Sequence, residues 1–239
     1  MTVQAERVPP EHHHDHRDVT GGWLRPAVFG MTDGLVSNTA LIAGVAGGGA
    51  SSHVIVLTGL AGLAAGAFSM ATGEYTSVAS QTELTRAEIE IEKSEIARVP
   101  QAEEAELAGI YRSRGVDDAT AREVARQLSA DPDQVWRVHA REELGVDPDD
   151  LPSAWVAAGS SFVAFSIGAQ VPLMPYLFGA TSLWLSVVLA GIALFVAGAV
   201  VSRFTNRSAV YSGTRQLVLG AFAAGITYLI GQAVGSSGL

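Results

Sequence analysis

Carboxylate side chains recur at helical spacing in one stretch of the chain. Glu88, Glu92 and Glu95 stand at i, i+4 and i+7, which places them on one face if the segment is helical. His139 and Glu143 repeat the i, i+4 spacing further along. Carboxylates and imidazoles are the ligands that hold transition metals inside helical bundles. The spacing therefore predicts a metal site, and it leaves a solvated acidic face as the alternative.

A second helix should fold back onto the first, because proline at Val99-Pro100 ends the first helix. This helix carries Glu103 and Glu106 one turn apart. The predicted metal ligands are Glu88, Glu92, Glu95, Glu103, Glu106, His139 and Glu143. The chain has no cysteine, which excludes thiolate metal sites, iron–sulfur clusters and disulfides. It also lacks a phosphate-binding loop, so we do not expect a nucleotide-driven pump.

Two further carboxylates lie within apolar sequence. Asp33 and Glu74 are the only acidic residues between positions 22 and 80, and none follows position 150. An ionisable group inside a membrane span costs about 2.5 to 3.5 kcal/mol and marks an ion or proton path. Met70 shares a helix face with Glu74, and antiparallel spans would bring Asp33 and Glu74 to similar depth. We therefore expect Asp33, Met70 and Glu74 to line a transport pathway. The alternatives are packing for Met70, an interfacial carboxylate for Glu74 and a helix cap for Asp33.

The elements that position these residues are membrane helices. Hydrophobic residues make up 48% of the chain and charged residues only 16%. A span needs about 20 apolar residues, and five stretches qualify, at 26–47, 53–77, 154–178, 182–201 and 216–234. Glycines at four-residue spacing favour a tightly packed bundle or dimer; the pairs are Gly44 and Gly48, Gly62 and Gly66, and Gly231 and Gly235.

The net charge is concentrated between the second and third spans. Residues 83–150 contain 18 acidic and 9 basic side chains, and this excess of 9 equals the net charge of −9 for the whole chain. The segment is predicted to form helices at 83–98, 101–114, 118–129 and 132–144. The first of these is expected to continue directly out of the second span. The predicted fold is all-α: an integral membrane bundle of five transmembrane helices, with a cytosolic helical metal-binding domain inserted between the second and third spans.

Arginines set the expected orientation, because cytoplasmic flanks collect Lys and Arg. They lie before the first span and between the fourth and fifth, at Arg7, Arg17, Arg25, Arg203, Arg207 and Arg215. We expect a polar N-terminal tail (1–21), helices 1 and 2 (22–80), the cytosolic acidic domain (81–152) and helices 3 to 5 (153–239). The tail contains His12, His13, His14 and His16 and is expected to be solvated rather than to bind metal. It does not read as a cleavable signal.

Several motifs together resemble one known family. They are Thr32-Asp33-Gly34-Leu35-Val36, Ser69-Met70-Ala71, Gly73-Glu74-Tyr75, Val99-Pro100, Glu142-Glu143-Leu144-Gly145 and Val171-Pro172-Leu173-Met174-Pro175-Tyr176. From about Gly22 to the C-terminus, the chain resembles the vacuolar iron transporter family and its bacterial relatives. That resemblance implies a homodimer of five-helix subunits that exchanges cytosolic Fe²⁺ or related metals for protons at the dimer interface. It also implies a pathway lined by Asp33 and Met70, and cytosolic metal ligands at Glu92, Glu95, Glu103, Glu106 and Glu143.

The chain departs from the plant members at two places. Gly62 stands where those members carry a glutamate, so Glu74 is a candidate to serve in its place. His139 and Ala140 stand where they carry methionines, which leaves the choice among iron, manganese, cobalt and zinc open.

The expected function is export of Fe²⁺, and second of Mn²⁺, from the cytosol, driven by protons. We expect no organic cofactor and no nucleic-acid partner; the partners are a second copy of the chain, the bilayer, metal ions and protons. The family implies the plasma (inner) membrane of a bacterium. The alternatives are a membrane-anchored, ferritin-like carboxylate ferroxidase and a metal-binding sensor.

Overall fold

The computed structural model describes residues 22–205 and 207–237, and within these ranges the chain is helical and contains no strand. The predicted histidine-containing tail lies outside the described residues. The helices are α1 (Leu24–Gly47), α2 (Ser52–Arg98), α3 (Pro100–Ser113), α4 (Asp118–Leu128), α5 (Pro132–Glu142), α6 (Ala154–Gln170), α7 (Met174–Leu177), α8 (Leu183–Thr205) and α9 (Ala209–Ser236). A 3-10 turn, Val171–Leu173, joins α6 to α7.

Five helical segments are long and apolar enough to cross a membrane. They are Leu24–Gly47, Ser52–Arg98, Ala154–Leu177, Leu183–Arg203 and Ala209–Ser236. The prediction of an all-helical protein with five spans is therefore confirmed, and the chain is a multi-pass membrane protein. The last helix begins earlier than the predicted position 216, because Ser208 caps it by accepting a hydrogen bond from the Tyr211 N–H.

Helix α2 is much longer than a span. Its 47 residues extend for about 70 Å at 1.5 Å per residue, whereas the apolar core of a bilayer is about 30 Å thick. Ser51 caps its start, and Val99-Pro100 ends it. The predicted continuation of the second span into the acidic segment is therefore present. We call residues 81–152, which comprise the end of α2, helices α3 to α5 and the loop to α6, the polar insert.

Helix α1 is the centre of the bundle and packs against α2, α6, α8 and α9. Helix α1 crosses its neighbours closely because glycines at the crossings lie against the backbone of the facing helix. A Cβ at Gly34 would collide with the Phe165 carbonyl oxygen, and a Cβ at Gly231 would collide with the Gly44 carbonyl oxygen. The pairs at Gly44 and Gly48 and at Gly231 and Gly235 thus serve contacts between α1 and α9 of the same chain. Gly62 and Gly66 of α2 instead face side chains of α1 and α6.

The third span is interrupted where the sequence predicted one continuous helix. Proline at position 172 has no N–H to donate, and the chain turns through a 3-10 segment at Val171–Leu173. Buried Asn38 of α1 supports this break, since its Nδ2 donates a 2.6 Å hydrogen bond to the Ala169 carbonyl oxygen.

The three short helices of the polar insert form a small core of their own. Leu107, Ala108 and Ala125 are buried together between α3 and α4, with Val138 of α5 against them. Asp117 and Asp131 cap α4 and α5. Helix α5 ends at Glu142 rather than continuing to the predicted position 144. This packing fixes the direction in which α3 and α5 face α2.

Candidate metal centre

Four side chains with metal-binding atoms meet inside the polar insert. Glu92 comes from α2, Glu103 from α3, His139 from α5 and Glu143 from the residue that follows α5. One ligand atom of each residue lies within 4.8 Å of those of the other three. We call these four residues the donor cluster. They unite three polypeptide segments that are separated by up to 51 positions, counted from 92 to 143.

His139 is the centre of the donor cluster and has no exposed surface. Its Nδ1 lies 2.6 Å from Glu143 Oε1, 2.9 Å from Glu92 Oε1 and 3.9 Å from Glu103 Oε2. A metal with ligands at about 2.1 Å holds opposite ligands about 4.2 Å apart. Small side-chain movements that separate these atoms slightly would therefore place them around one ion.

Several atoms of the donor cluster are buried without a hydrogen-bond partner among the described residues. They are Glu92 Oε1, Glu143 Oε1 and both ring nitrogens of His139. The oxygens approach the His139 Nδ1 closely but without the angles of a hydrogen bond. A buried polar atom left without a partner costs about 1 to 3 kcal/mol. A cation held by these atoms would remove that cost.

The carboxylates of the donor cluster also repel one another. Burial, followed by the charge of Glu143, raises the pKa of Glu92 from 4.5 to about 7, although His139 opposes this shift. Glu92 lies in the polar insert, well past the apolar part of α2. Burial, followed by the charge of Glu106, raises the pKa of Glu103. Burial likewise raises the pKa of Glu143, with His139 lowering it and Glu106 raising it. A divalent cation would stabilise all three carboxylates in their charged form.

Local structure explains why these side chains converge. Val99 has a non-helical conformation (φ −135°, ψ 54°), so the chain reverses between α2 and α3. This reversal lays Glu103, four residues after the turn, against Glu92, seven residues before it. Helix α5 starts at the Asp131-capped turn, and its buried face contains Val135 and His139. The i, i+4 spacing then brings Glu143 beside His139.

Three predicted ligands lie outside the donor cluster. Glu95 pairs with Arg98 at 3.5 Å, and Glu88 is exposed. Glu106 is also exposed, yet its charge acts on Glu103 and Glu143. Because this segment is helical, the spacing of Glu88, Glu92 and Glu95 places them near one face of α2. Only the packing of α3 and α5 decides which of the three is covered.

Sequence reasoning missed the aromatic and basic residues beside the donor cluster. The Lys93 Nζ lies 4.3 Å from the centre of the Trp136 ring, and the Arg137 guanidinium lies 5.1 Å from it. Lys93 directly follows Glu92, and Trp136 precedes His139 by one helical turn. These positions next to two predicted ligands are the sequence signal that could have identified Lys93 and Trp136. The two cations rest on an aromatic ring rather than pairing with the carboxylates of the cluster.

The membrane part of the chain holds a separate charged pair. Glu74, whose side chain is 8% exposed, accepts a hydrogen bond of 3.3 Å from the guanidinium of Arg25, which is 76% exposed. Beside them the Tyr75 and Trp155 rings lie 4.8 Å apart. Tyr and Trp are enriched where a span meets water. Glu74 therefore lies at the end of the bundle nearest the polar insert.

The expectation that Asp33 and Glu74 share one depth needs correction. Glu74 is level with Arg25, which precedes Asp33 by eight residues, or about 12 Å of helix rise. The contact between Gly62 and Asn38 gives the same antiparallel register. Met70 packs on the cluster of Ala67, Phe165 and Ala169. Glu74, Met70 and Asp33 thus follow one another from the insert side into the bundle.

The fold and the donor cluster define a class of protein: a multi-pass helical membrane protein that carries a buried cluster of candidate metal ligands on an extension of its second span. Comparison with known families gives a narrower result. Residues 24–232 match the VIT family, and this chain belongs to that family.

Curated relatives agree with this assignment. Vacuolar iron transporter of Acanthamoeba castellanii is 38% identical over 89% of this chain and 78% of its own length. Vacuolar iron transporter 1 of Oryza sativa is 33% identical over 93% of this chain and 90% of its own, and Vacuolar iron transporter 2 of the same plant is 32% identical over 98% and 96%. The similarity therefore covers the spans and the polar insert alike.

Proposed function

We propose that this protein exports a divalent transition metal from the cytosol, Fe²⁺ first and Mn²⁺ second, in exchange for protons. The observation that carries the proposal is the buried donor cluster of three carboxylates and one imidazole. Oxygen ligands alone suit Mg²⁺ and Ca²⁺, whereas an imidazole among them favours Fe²⁺, Mn²⁺ and other transition metals. The names of the curated relatives, which are vacuolar iron transporters, support iron as the first candidate.

The proposed orientation puts the polar insert in the cytosol of a bacterium and the spans in its plasma membrane. The supporting observation is the placement of arginines, since Arg25 precedes α1 and Arg207 lies between α8 and α9. Both flanks are on the same side as the insert if five helices cross the membrane. We further propose that two copies of the chain form the working unit, with the pathway between them.

In the proposed mechanism the donor cluster captures the ion before it reaches the membrane. Glu92, Glu103 and Glu143 lose their protons as the metal binds, because the ion and a proton compete for the same oxygens. The ion then passes to Glu74, past the Met70 thioether and on to Asp33. Protons from the other side neutralise Asp33 after the metal has left, which returns this carboxylate to its starting state.

The experiment is uptake of Fe²⁺ and of Mn²⁺ into proteoliposomes under an imposed pH gradient. Wild type should take up metal only when the gradient is present, and Asp33→Asn should lose uptake while still binding metal in the polar insert. Normal uptake by Asp33→Asn would overturn the assignment of the pathway. Oxygen consumption in proportion to added Fe²⁺, without uptake, would instead identify a ferroxidase, and binding without either activity would identify a sensor.

A further inference from the structure

The two side chains of the ion pair between Arg25 and Glu74 differ widely in their exposure to solvent. Glu74 is almost fully covered, whereas the Arg25 side chain is 76% exposed and makes a single 3.3 Å contact. A covered carboxylate needs a cation, because its charge is costly without one. An exposed arginine side chain is long and already in contact with water, so it can leave the pair at little cost.

The position of the pair makes this asymmetry useful. Glu74 lies beside Tyr75 and Trp155, at the end of the bundle that faces the polar insert. The next acidic group inward, Asp33, is eight residues beyond Arg25 on α1. An ion that moves from the insert toward Asp33 therefore meets Glu74 first. It meets Glu74 with a cation already bound.

We propose that Arg25 is a built-in competing cation that determines which ions can occupy Glu74. This inference rests on the proposed transport function and goes beyond it by assigning a specificity role to a residue outside the predicted pathway. A divalent ion carries twice the charge of the guanidinium and displaces it. Na⁺ and K⁺ carry no more charge than Arg25. They are also free in solution, whereas the chain holds the guanidinium beside Glu74, so these ions do not displace it. When the metal moves inward, Arg25 pairs with Glu74 again and prevents the metal from moving back.

Arginine suits this role better than lysine or histidine would. Its guanidinium stays charged at all physiological pH values, so the competitor is never lost by titration. Arg25 therefore keeps Glu74 selective for divalent ions even while the carboxylates elsewhere in the protein gain and lose protons.

The test compares uptake kinetics of Arg25→Gln and wild type in proteoliposomes, using Mn²⁺, which does not oxidise readily. Removing the competitor should lower the KM for Mn²⁺ by up to about fivefold, the usual worth of such a pair, and kcat should not rise. Added K⁺ at near-physiological concentration should now inhibit uptake by the variant and leave wild type unchanged. A purely structural role would instead lower kcat without lowering KM.

Two further variants make the outcome specific. In a Glu74→Gln background, Arg25→Gln should change neither KM nor K⁺ sensitivity, because no carboxylate remains to compete for. Arg86→Gln, which removes an exposed arginine twelve residues past Glu74 on α2, should behave as wild type. An equal KM shift in the Glu74→Gln background or in Arg86→Gln would overturn the proposal.

Chemical rescue guards against misfolding. The chain has no cysteine, so Arg25→Cys can be labelled at one position in a folded sample. A thiol reagent that carries a fixed positive charge should restore the wild-type KM, and a neutral reagent of similar size should not. Equal effects of the two reagents would overturn the proposal. If wild type shows no uptake at all, the proposed transport function itself is wrong. That result is distinct from every outcome at Arg25.

Discussion

Glu74 and Glu92 lie on the same face of one uninterrupted helix. They are 18 residues apart in α2, counted from 74 to 92, and 18 residues make five full turns, or about 27 Å. Both side chains are buried, the first against Arg25 and the second in the donor cluster. The helix therefore holds the proposed capture site and the proposed membrane site in a fixed rotational relationship.

Substitution of the central imidazole tests the donor cluster directly. His139→Gln should weaken binding of Fe²⁺ and Mn²⁺ to the purified protein by about tenfold or more, the usual cost of losing a metal ligand or its support. It should weaken binding of Mg²⁺ far less, because Mg²⁺ prefers oxygen ligands. Calorimetric titration of the detergent-solubilised protein measures both.

The matched control for this prediction is Glu88→Gln. Glu88 is on α2 one turn from Glu92, but it is exposed and outside the donor cluster. Its substitution should change affinity less than twofold. A larger loss in Glu88→Gln than in His139→Gln would show that the ion binds on the exposed face of α2 instead.

Metal binding should release protons, and the amount should fall as pH rises. Burial raises the pKa of Glu92 from 4.5 to about 7, so this carboxyl is largely protonated at pH 6 and largely ionised at pH 8.5. A metal that binds at pH 6 must displace the proton from Glu92, whereas one that binds at pH 8.5 finds Glu92 already ionised. Affinity should therefore rise between pH 6 and pH 8.

The measurement is calorimetry at each pH in two buffers that differ in ionisation enthalpy. Glu92→Gln has no proton to release at this position and should show a smaller difference between the buffers at pH 6. Equal proton release at pH 6 and pH 8.5 in wild type would be incompatible with a raised pKa at Glu92.

Much of the architecture was predictable because its signals are local. Apolar runs of sufficient length marked the spans, and Pro100 marked the end of α2. The absence of a helix breaker between Ser77 and Glu83 indicated that the second span continues into the acidic segment. These features depend on residues a few positions apart, which is the range over which sequence patterns are informative.

The partners across helices were not predictable in the same way. Spacing put Glu88, Glu92 and Glu95 near one face, but the packing of α5 decides that Glu92 is covered while Glu88 stays in water. The depth of Glu74 relative to Asp33 depends on the register between α1 and α2. Close contacts at Gly62 set that register, and a glycine pattern alone does not specify which residue it will meet.

The crossing of α1 and α9 predicts opposite outcomes for two identical substitutions. Gly231→Ala puts a methyl group into the Gly44 carbonyl oxygen, whereas Gly225→Ala on the same helix meets nothing within 4 Å. The first should destabilise the protein by about 1 to 3 kcal/mol through forced separation of the helices. The second should leave stability unchanged or raise it slightly, because Ala is the better helix former. Thermal unfolding in detergent distinguishes them, and similar melting temperatures would contradict the packing described.

Continuity of α2 predicts the effect of changing its rotation. Two alanines inserted between Ala87 and Glu88 keep the helix intact but turn everything after them by about 200°. The donor cluster moves with α3 to α5, to which it is attached, so metal binding should stay within about twofold of wild type. The rotation removes the alignment of the donor cluster with Glu74. Metal uptake into proteoliposomes should therefore fall at least tenfold if the ion passes along this face of α2.

The control is the same two-residue insertion after Arg207, in the connection between α8 and α9, where uptake should stay near the wild-type rate. Binding and uptake are measured on the same preparations, so that a misfolded insert is recognised by its failure to bind. Undiminished uptake in the α2 variant would show that the ion reaches Glu74 through bulk water, independent of the donor cluster. A loss confined to that variant would show that the shared face of Glu74 and Glu92 is part of the route.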